Sequence, residues 1–207
     1  MALTSRKKRP LKREVLPLRD ANLIIIACEG QKTEKQYFNS EIFHSSRLQV
    51  IVLETKDGYS APKHILERLR EYKNSHKLEA SDQLWLMIDV DRWPNEQISE
   101  VCSEALKMKN TSLAVSNPCF EIWLYLHFET LKQTVNSQDI EILLRSKMGG
   151  SYNKSNLAIE HFKDSINEAV RRSKELDKNT ASARWPENPG THVYKVVEEI
   201  QKIISPN

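Results

Sequence analysis

The segment "NLIIIACEGQKTEKQYF" (residues 22–38) joins an apolar run to an acidic turn and a helix-like stretch. Residues 22–28 are apolar almost throughout, which is typical of a strand buried on both faces of a parallel sheet. Glu29 follows directly, and a carboxylate at the end of a buried strand is costly unless it is paired or binds a cation. Gly30 permits a tight turn and a close backbone approach to a ligand. The segment therefore predicts a strand–turn–helix unit with a functional carboxylate in its turn.

Strand-like and helix-like segments then alternate as far as residue 116. The further predicted strands are 48–54, 83–90 and 111–116, and the predicted helices are 33–43, 61–75 and 95–109. This alternation favours an α/β fold with a mostly parallel sheet and right-handed crossovers. In a strand order of 2-1-3-4, strands 1 and 3 are central neighbours. A topological switch point, where such sheets bind ligands, then lies between them.

The rest of the chain has helical patterns. These cover residues 118–128, 138–147, 155–178 and 191–204. The predicted organisation is a flexible basic arm (1–20), an α/β core (21–117) and a helical extension packed on the core (118–207). A chain of 207 residues is long enough for one domain with a substantial core and such an extension.

Several sequence features predict a cytoplasmic protein. The longest apolar runs are strand-sized, so we expect no transmembrane helix. The basic N-terminus is not followed by the apolar stretch of a signal peptide. The three cysteines are widely spaced and odd in number, which indicates reduced thiols rather than a disulfide framework.

The charge is distributed unevenly along the chain. The net charge is +3, but residues 1–19 carry seven Lys and Arg against one Glu, and the remainder is mildly acidic. A basic arm suits a polyanionic partner whose affinity falls with salt. A disordered, solubilising tail explains the same charge equally well. The candidate nucleic-acid contacts are Arg6, Lys7, Lys8, Arg9 and Lys32.

A second acidic motif, "DVD", ends the third predicted strand. Asp89 and Asp91 are at positions i and i+2, so their side chains point the same way if strand geometry persists. Glu29 ends the neighbouring strand, about 4.8 Å away. Carboxylates this close repel one another unless they bind a cation or a proton. Either motif alone is more often a capping or turn feature, but together they predict a metal site.

The ligand types indicate the metal. Oxygen ligands without His or Cys favour a hard ion, Mg²⁺ or Mn²⁺, with Ca²⁺ less suited. Glu34, one turn into the next helix, is a candidate ligand for a second ion. Two ions stabilise both the attacking and the leaving oxygen of a phosphodiester displacement.

Other residues are weaker candidates, each with a plain structural alternative. Glu121, near the start of the helix after the fourth strand, is an extra metal ligand or a partner of the helix dipole. Lys154, in the turn "GGSYNKS", offsets charge on a phosphate or lies on the surface. His127 lies among apolar residues, where a hydrogen-bonded core histidine is the usual case. Trp185 is a stacking surface for an unpaired base or, more commonly, packs on the body.

These motifs resemble a known family. "EGQKTE" after one buried strand and "DVD" after a later one are similar to the acidic signature of the Toprim domain of topoisomerases, bacterial primases and overcoming-lysogenisation-defect nucleases. The wider pattern "ACEGQKTEKQYF … DVDRW … VSNPCFEIWLYLHF … YNKS … NPGTHVYKVVEEI" resembles more narrowly the RloB-like family. That family is linked to restriction–modification loci and abortive phage infection, and includes the AbiLii proteins. The resemblance covers about residues 22–204.

The resemblance implies a fold and a chemistry. The fold is a Toprim-like three-layer sandwich with a four-stranded, mostly parallel sheet, followed by a helical extension. Glu29 corresponds to the acid–base or metal-binding glutamate, and Asp89 and Asp91 to the aspartates that hold Mg²⁺. Glu34 matches the further glutamate of the nuclease branch only approximately. The resemblance also implies an RloA-like ATPase partner, and related effectors cut nucleic acid, in one case transfer RNA.

The predicted function is a Mg²⁺- or Mn²⁺-dependent nuclease that acts as the effector of a bacterial anti-phage system under the control of an ATPase. The predicted catalytic residues are Glu29, Asp89, Asp91 and Lys154, and the predicted metal ligands are Glu29, Glu34, Asp89, Asp91 and Glu121. One alternative is a binding or ATPase-regulating subunit whose acidic site is degenerate. Another is an enzyme that transfers nucleotidyl or phosphoryl groups between small nucleotides. The sequence leaves open DNA or RNA as substrate, one or two metals, the trigger, and a homo-oligomeric state.

Overall fold

The structure is a computed structural model that describes residues 21–30, 32–55, 60–178 and 183–205. The predicted basic arm, with Arg6, Lys7, Lys8 and Arg9, lies outside the described residues.

The described residues form an α/β fold. The strands are β1 (Asn22–Cys28), β2 (Leu48–Leu53), β3 (Gln83–Asp89), β4 (Thr111–Asn117) and β5 (Gly190–Thr191). The α-helices are α1 (Thr33–Phe38), α2 (Pro62–Ser75), α3 (Asn95–Leu106), α4 (Glu121–Leu126), α5 (Ser137–Lys147), α6 (Ile166–Leu176) and α7 (Val193–Ile204). Short 3₁₀ helices cover Glu41–Phe43, Ile159–His161 and Lys163–Ser165.

All five strands belong to one mixed sheet in the order β2-β1-β3-β4-β5. The predicted order 2-1-3-4 is confirmed for the first four strands, which pair in parallel. β1 and β3 are therefore central neighbours. Cys28, the last residue of β1, is level with Met87, two residues before β3 ends at Asp89. The carboxyl ends of both strands thus open at the same edge of the sheet.

Alternate residues of β1 supply two hydrophobic cores, one on each face of the sheet. Ile24 and Ile26 belong to the core that includes α1 and α4–α7. Leu23 and Ile25 belong to the core that includes α2 and α3. Because both faces of β1 are covered, the strand is apolar at every position after Asn22.

The structure corrects the predicted four-stranded sheet. β5 pairs antiparallel with β4, with Thr191 opposite Ser116 and Gly190 opposite Asn117. The predicted extension over 118–207 is therefore not wholly helical, because it returns a strand to the sheet. A side chain at Gly190 would lie 2.7 Å from the carbonyl oxygen of Glu187, which explains the need for glycine there.

The helix predictions differ most from the structure in three places. The helix predicted over 155–178 begins as two 3₁₀ turns and becomes α-helical only at Ile166. The helix predicted over 33–43 ends at Phe38. The helix predicted over 118–128 is confined to Glu121–Leu126. Within the described ranges, no helix combines the length and the apolar character that crossing a membrane requires.

Candidate functional site

One cavity collects the predicted acidic residues at the carboxyl ends of β1 and β3. It measures about 240 Å³. Its carboxylates are Glu29, Glu34, Asp89, Asp91 and Glu121, and its cationic side chains are Lys32, Arg92 and Lys154. Every residue predicted from the sequence as a metal ligand thus lines the same cavity.

The two carboxylate oxygens of Glu29 have different surroundings. Only 6% of the residue is exposed. Its Oε2 accepts a hydrogen bond of 3.1 Å from the indole N–H of Trp93. Its Oε1 is buried without a hydrogen-bond partner, and the nearest cation, Arg92, lies 3.5 Å away in a loose ion pair. Burial raises the pKa of the Glu29 carboxyl, although Trp93 and Arg92 oppose the shift.

The backbone around Glu29 is braced from α2 and from the end of β2. The guanidinium of Arg68 donates to the carbonyl oxygen of Cys28 at 2.7 Å. Thr55 Oγ1 donates to the carbonyls of Cys28 and Gly30 at 3.2 and 3.4 Å. These contacts hold the strand end from which the Glu29 side chain leaves the sheet.

The side chain of Glu34, near the start of α1, reaches back to the turn at Gly30. Its Oε1 accepts a hydrogen bond of 2.9 Å from the backbone N–H of Gly30. A Cβ atom at Gly30 would lie 2.0 Å from Glu34 Oε2, so glycine makes room for this carboxylate. Glu34 is 4% exposed, and burial raises its pKa to about 7.

The two aspartates of "DVD" lie on either side of the end of β3. The strand ends at Asp89, one residue before the predicted end at 90, and Asp91 belongs to a turn, so the strand geometry on which a common side-chain direction depended does not persist to Asp91. The backbone N–H of Asp91 instead donates to the carbonyl of Pro118 at 3.2 Å. Burial and the charges of Glu34 and Glu29 raise the pKa of Asp89 well above its usual value. The carboxylate of Asp91 accepts a hydrogen bond from Ser137 at the start of α5.

Glu121 belongs to a separate, charge-balanced part of the cavity. Its Oε1 accepts a hydrogen bond of 3.0 Å from the hydroxyl of Tyr152. The same oxygen forms a salt bridge of 3.0 Å with the ammonium of Lys154. Lys154 also pairs with Glu141 at 3.0 Å. Although burial opposes ionisation, Lys154 lowers the pKa of Glu121 below its usual value. Glu121 is therefore held ionised beside an ammonium, whereas Glu34 and Asp89 resist ionisation.

The carboxylate oxygens of these residues suit a hard cation such as Mg²⁺. Their side-chain conformations, however, do not arrange them as a set of metal ligands. Over residues 21–30, 32–55, 60–178 and 183–205, no three His, Cys, Asp or Glu side chains are grouped closely enough to hold a metal ion. Glu34, Asp91 and Glu121 each turn toward a protein partner instead. The Oε1 of Glu29, which has no hydrogen-bond partner, and the raised pKa values of Glu29, Glu34 and Asp89 show that the nearby cationic side chains do not fully offset the charge of these buried carboxylates. Binding of a divalent ion would therefore require these carboxylates to exchange protein partners for the ion.

The segments that form the cavity lie within the part of the chain that a family model matches. The family model described as RloB-like protein matches residues 24–200, which include every residue of the cavity. The chain belongs to the RloB-like family. Neither the curated proteins nor the solved structures gave a significant match.

Sequence reasoning missed several residues of this RloB-like protein that line the cavity or contact its carboxylates. Arg92 and Trp93 directly follow "DVD", so their position beside the motif was an available signal. Ser137 contacts Asp91, 46 positions earlier in the chain, and Tyr152 contacts Glu121, 31 positions earlier. No local sequence pattern predicts contacts over such separations.

The remaining candidate residues of this RloB-like protein lie in the hydrophobic cores or at the edge of the cavity. His127 is a buried core residue, hydrogen-bonded to Tyr37 and Ser165 at 3.0 Å, as expected for a core histidine. Trp185 is partly buried and packs on the core that includes α2 and α3. Lys32 lies at the edge of the cavity, where it donates to Ser155 at 3.1 Å.

Proposed function

We propose that this protein is a metal-dependent nuclease of the Toprim type that cleaves phosphodiesters as the effector of a bacterial anti-phage system. The observation that carries the proposal is the convergence of five carboxylates on one cavity at the switch point between β1 and β3. Open α/β sheets place their ligands at such points. The parallel order of β2, β1, β3 and β4 with helices on both faces supports a Toprim-like arrangement.

The donor set supports Mg²⁺ or Mn²⁺ as the cofactor. Glu29, Asp89 and Asp91 would hold the ion, and Glu34 is the candidate for a second. Bound at this position, a divalent ion would supply Lewis-acid activation of the phosphodiester and neutralise charge that develops in the transition state. Glu29 is the best-prepared ligand, because Trp93 fixes one oxygen and leaves the other without a hydrogen bond.

The cationic residues have separate roles in this proposal. Lys154 is held by Glu121 and Glu141 beside the cavity, where its ammonium can face a phosphate. Arg92 has a side chain that is 66% exposed and pairs only loosely with Glu29, so it is available to a phosphate oxygen. Both residues would position substrate, while Glu29 holds or moves a proton when it is not a ligand.

The size of the cavity favours the nuclease over an enzyme acting on small nucleotides. Pockets that enclose drug-sized ligands usually measure about 300–1,000 Å³. The cavity of about 240 Å³ suits a phosphate group with its ions better than a whole nucleotide. A polymer that presents only its phosphodiester there is therefore the favoured substrate, whether DNA or RNA, including transfer RNA.

One observation favours a second candidate, a subunit whose acidic site is degenerate. In the described part of the chain, the carboxylates are not grouped for metal binding, and most are satisfied by protein donors. Such a subunit would bind nucleic acid or regulate an ATPase without cleaving.

The proposal includes a partner ATPase of the RloA kind. The 207 residues contain no Walker A motif, so ATP hydrolysis in such a system would come from another subunit. Membership of the RloB-like family supports this assignment. Proteins of this kind would work in the cytoplasm, where phage nucleic acid and transfer RNA are found.

Calorimetric titration with Mg²⁺ and Mn²⁺ tests the metal site without requiring activity. We expect saturable binding by the wild type and its loss in Asp91→Ala. Asp164→Ala, which removes an exposed carboxylate from a 3₁₀ turn, is the matched control and should bind as the wild type does. Absence of saturable uptake by the wild type would favour the degenerate subunit.

Cleavage is tested with the ATPase partner present, because the isolated protein need not be active. Cells that express both subunits should lose intact DNA or transfer RNA with the wild type and with Asp164→Ala. Asp91→Ala should abolish both the cleavage and the toxicity. Undiminished cleavage by Asp91→Ala would defeat the nuclease proposal.

A further inference from the structure

Lys154 lines the acidic cavity and brings a positive charge between two carboxylates. Its Nζ lies 3.0 Å from Oε1 of Glu121 and 3.0 Å from Oε2 of Glu141. The two glutamates belong to different helices, Glu121 to α4 and Glu141 to α5. The side chain of Glu121 is only 9% exposed, whereas that of Lys154 is 47% exposed. The lysine therefore reaches in from the surface and brings its charge to a buried carboxylate.

The backbone around Lys154 fixes this position. The carbonyl of Lys154 accepts a hydrogen bond of 2.8 Å from the side chain of Gln36 on α1. Tyr152, two residues earlier in the chain, donates to the same Oε1 of Glu121 at 3.0 Å. One short segment thus delivers both a hydroxyl and an ammonium to one carboxylate oxygen. Because the contacts come from α1, α4 and α5, the ammonium is held in place by the fold.

A divalent ion and this ammonium cannot share the Oε1 of Glu121. Mg²⁺ binds its oxygen ligands at about 2.0–2.1 Å. The ammonium already lies 3.0 Å from that oxygen, so an ion bound there would be close to it and the two positive charges would repel. The charge of Glu121 also raises the pKa values of Glu34 and Asp89, so this part of the cavity adjoins the carboxylates proposed for the metal. Lys154 therefore occupies the position that a second ion would take.

We propose that the ammonium of Lys154 takes the place of a second divalent ion, so that the cavity binds one ion and not two. This inference rests on the proposed function, in which the carboxylates at the ends of β1 and β3 hold that ion. An ammonium has three N–H donors, and two of them serve the salt bridges with Glu121 and Glu141. The third can donate to a phosphate oxygen. Charge on the phosphodiester is then neutralised by one ion and one lysine.

Counting bound Mn²⁺ tests this inference without cleavage. The full chain is titrated calorimetrically at pH 8, where most of Glu34 is ionised, and the electron paramagnetic resonance spectrum of the bound Mn²⁺ is recorded. Two ions about 3.5–4 Å apart, the separation found in two-metal sites, give a spin-coupled spectrum that a single ion does not give. We expect one ion and an uncoupled spectrum for the wild type.

Substitutions of Lys154 separate its charge from its size. Lys154→Met removes the charge and nearly keeps the length of the side chain, so it should bind a second ion and give the coupled spectrum. Lys154→Arg keeps the charge and should bind one ion. Lys147→Met is the matched control, because Lys147 forms a salt bridge of 2.6 Å with Glu129 and its side chain is 40% exposed, but it does not line the cavity. This control should bind one ion, as the wild type does.

A double substitution identifies the ligand of the second ion. Glu121→Gln in the Lys154→Met background removes the carboxylate that this ion would use, so the count should return to one. Melting temperatures show which variants are folded. If Lys154→Met unfolds, Lys154→Gln serves the same test, because its amide is uncharged and can still donate to Glu121.

The outcomes separate this inference from the nuclease proposal. Two ions on the wild type, or one ion on the folded, uncharged variant of Lys154, would overturn the role given to the lysine and leave a metal-dependent nuclease standing. A second ion that persists after Glu121→Gln would also overturn it, since that ion would not use the position of the ammonium. No ion on the wild type would overturn the metal site itself, and this inference with it.

Discussion

At the scale of single residues, Glu29 has two carboxylate oxygens in different surroundings. Its Oε2 is oriented by the Trp93 indole, while its Oε1 has no hydrogen-bond donor and a cation only at 3.5 Å. An ionised carboxylate that is buried and has a hydrogen bond to only one oxygen costs free energy, so burial raises the pKa of Glu29. A bound divalent ion would remove that cost. In the proposed metal site, the orientation of Glu29 by Trp93 would therefore contribute to affinity for the ion.

Gly30→Ala tests whether the position of Glu34 matters for metal binding. The new Cβ would occupy the space of Glu34 Oε2, only 2.0 Å away, and the flexible glutamate would swing out. We expect metal affinity to fall about tenfold, while the free energy of unfolding changes by less than about 1 kcal/mol. Calorimetric titration and urea unfolding measure the two quantities.

A double-mutant cycle supplies the control for Gly30→Ala. In a Glu34→Ala background, the added methyl group has no carboxylate to displace, so it should no longer change metal affinity. An equal loss of affinity in both backgrounds would show that Gly30 acts through the backbone and not through Glu34.

At the scale of elements, α5 connects the two sides of the acidic cavity. Its first residue, Ser137, donates to Asp91, and Glu141 in its middle holds Lys154. Gly149 and Gly150 have φ values of 59° and 87°, which end the helix and turn the chain back. The returning segment delivers the hydroxyl of Tyr152 to Glu121. The placement of α5 thus determines contacts to two of the five carboxylates.

Asn136→Ala tests this role of α5. The Asn136 side chain caps the helix by accepting hydrogen bonds from the N–H groups of Gln138 and Asp139 at 3.0 and 2.9 Å. Losing the cap should lower the free energy of unfolding by about 1 kcal/mol and loosen Ser137 next to Asp91. Urea unfolding measures the first effect and metal titration the second.

Ser137→Ala separates the two effects, because it removes the contact to Asp91 but keeps the cap. It should leave stability nearly unchanged and alter metal affinity. If Asn136→Ala proved as stable as the wild type, the cap would contribute nothing and the argument from α5 would be wrong.

The elements also show what local sequence can and cannot predict. β1 was predicted with its observed bounds because a strand buried on both faces is an unbroken apolar run. β5 has only two residues and no periodicity, so it was missed. The acidic cavity was predictable because Glu29 and Asp89 end adjacent parallel strands. Trp93 was missed as a partner of Glu29, which lies 64 residues away, since such a contact depends on the folded loop after β3.

At the scale of the whole molecule, buried ionisable groups set two opposing trends of stability with pH. Burial raises the pKa of Glu34 to about 7, so its contribution to stability is present below about pH 4.5 and is lost as the pH rises through 7. Burial lowers the pKa of His127 to about 3, so its contribution is present above pH 6.5 and is lost as the pH falls. The two trends oppose each other in the measured stability between about pH 4.5 and 7.

Glu34→Gln isolates the acidic trend, because the histidines are the same in both proteins. Without metal, the variant should gain stability over the wild type as the pH rises from 4.5 to 7, by up to about 3 kcal/mol. Saturating Mg²⁺ at pH 8 should reverse the order, since the ion stabilises the wild-type site and binds the amide less well. Urea unfolding at a series of pH values, with and without Mg²⁺, measures both effects. The contrary result is a difference in unfolding free energy that changes neither with pH nor with Mg²⁺. It would mean that ionisation of Glu34 does not destabilise the fold and that Glu34 does not bind a cation.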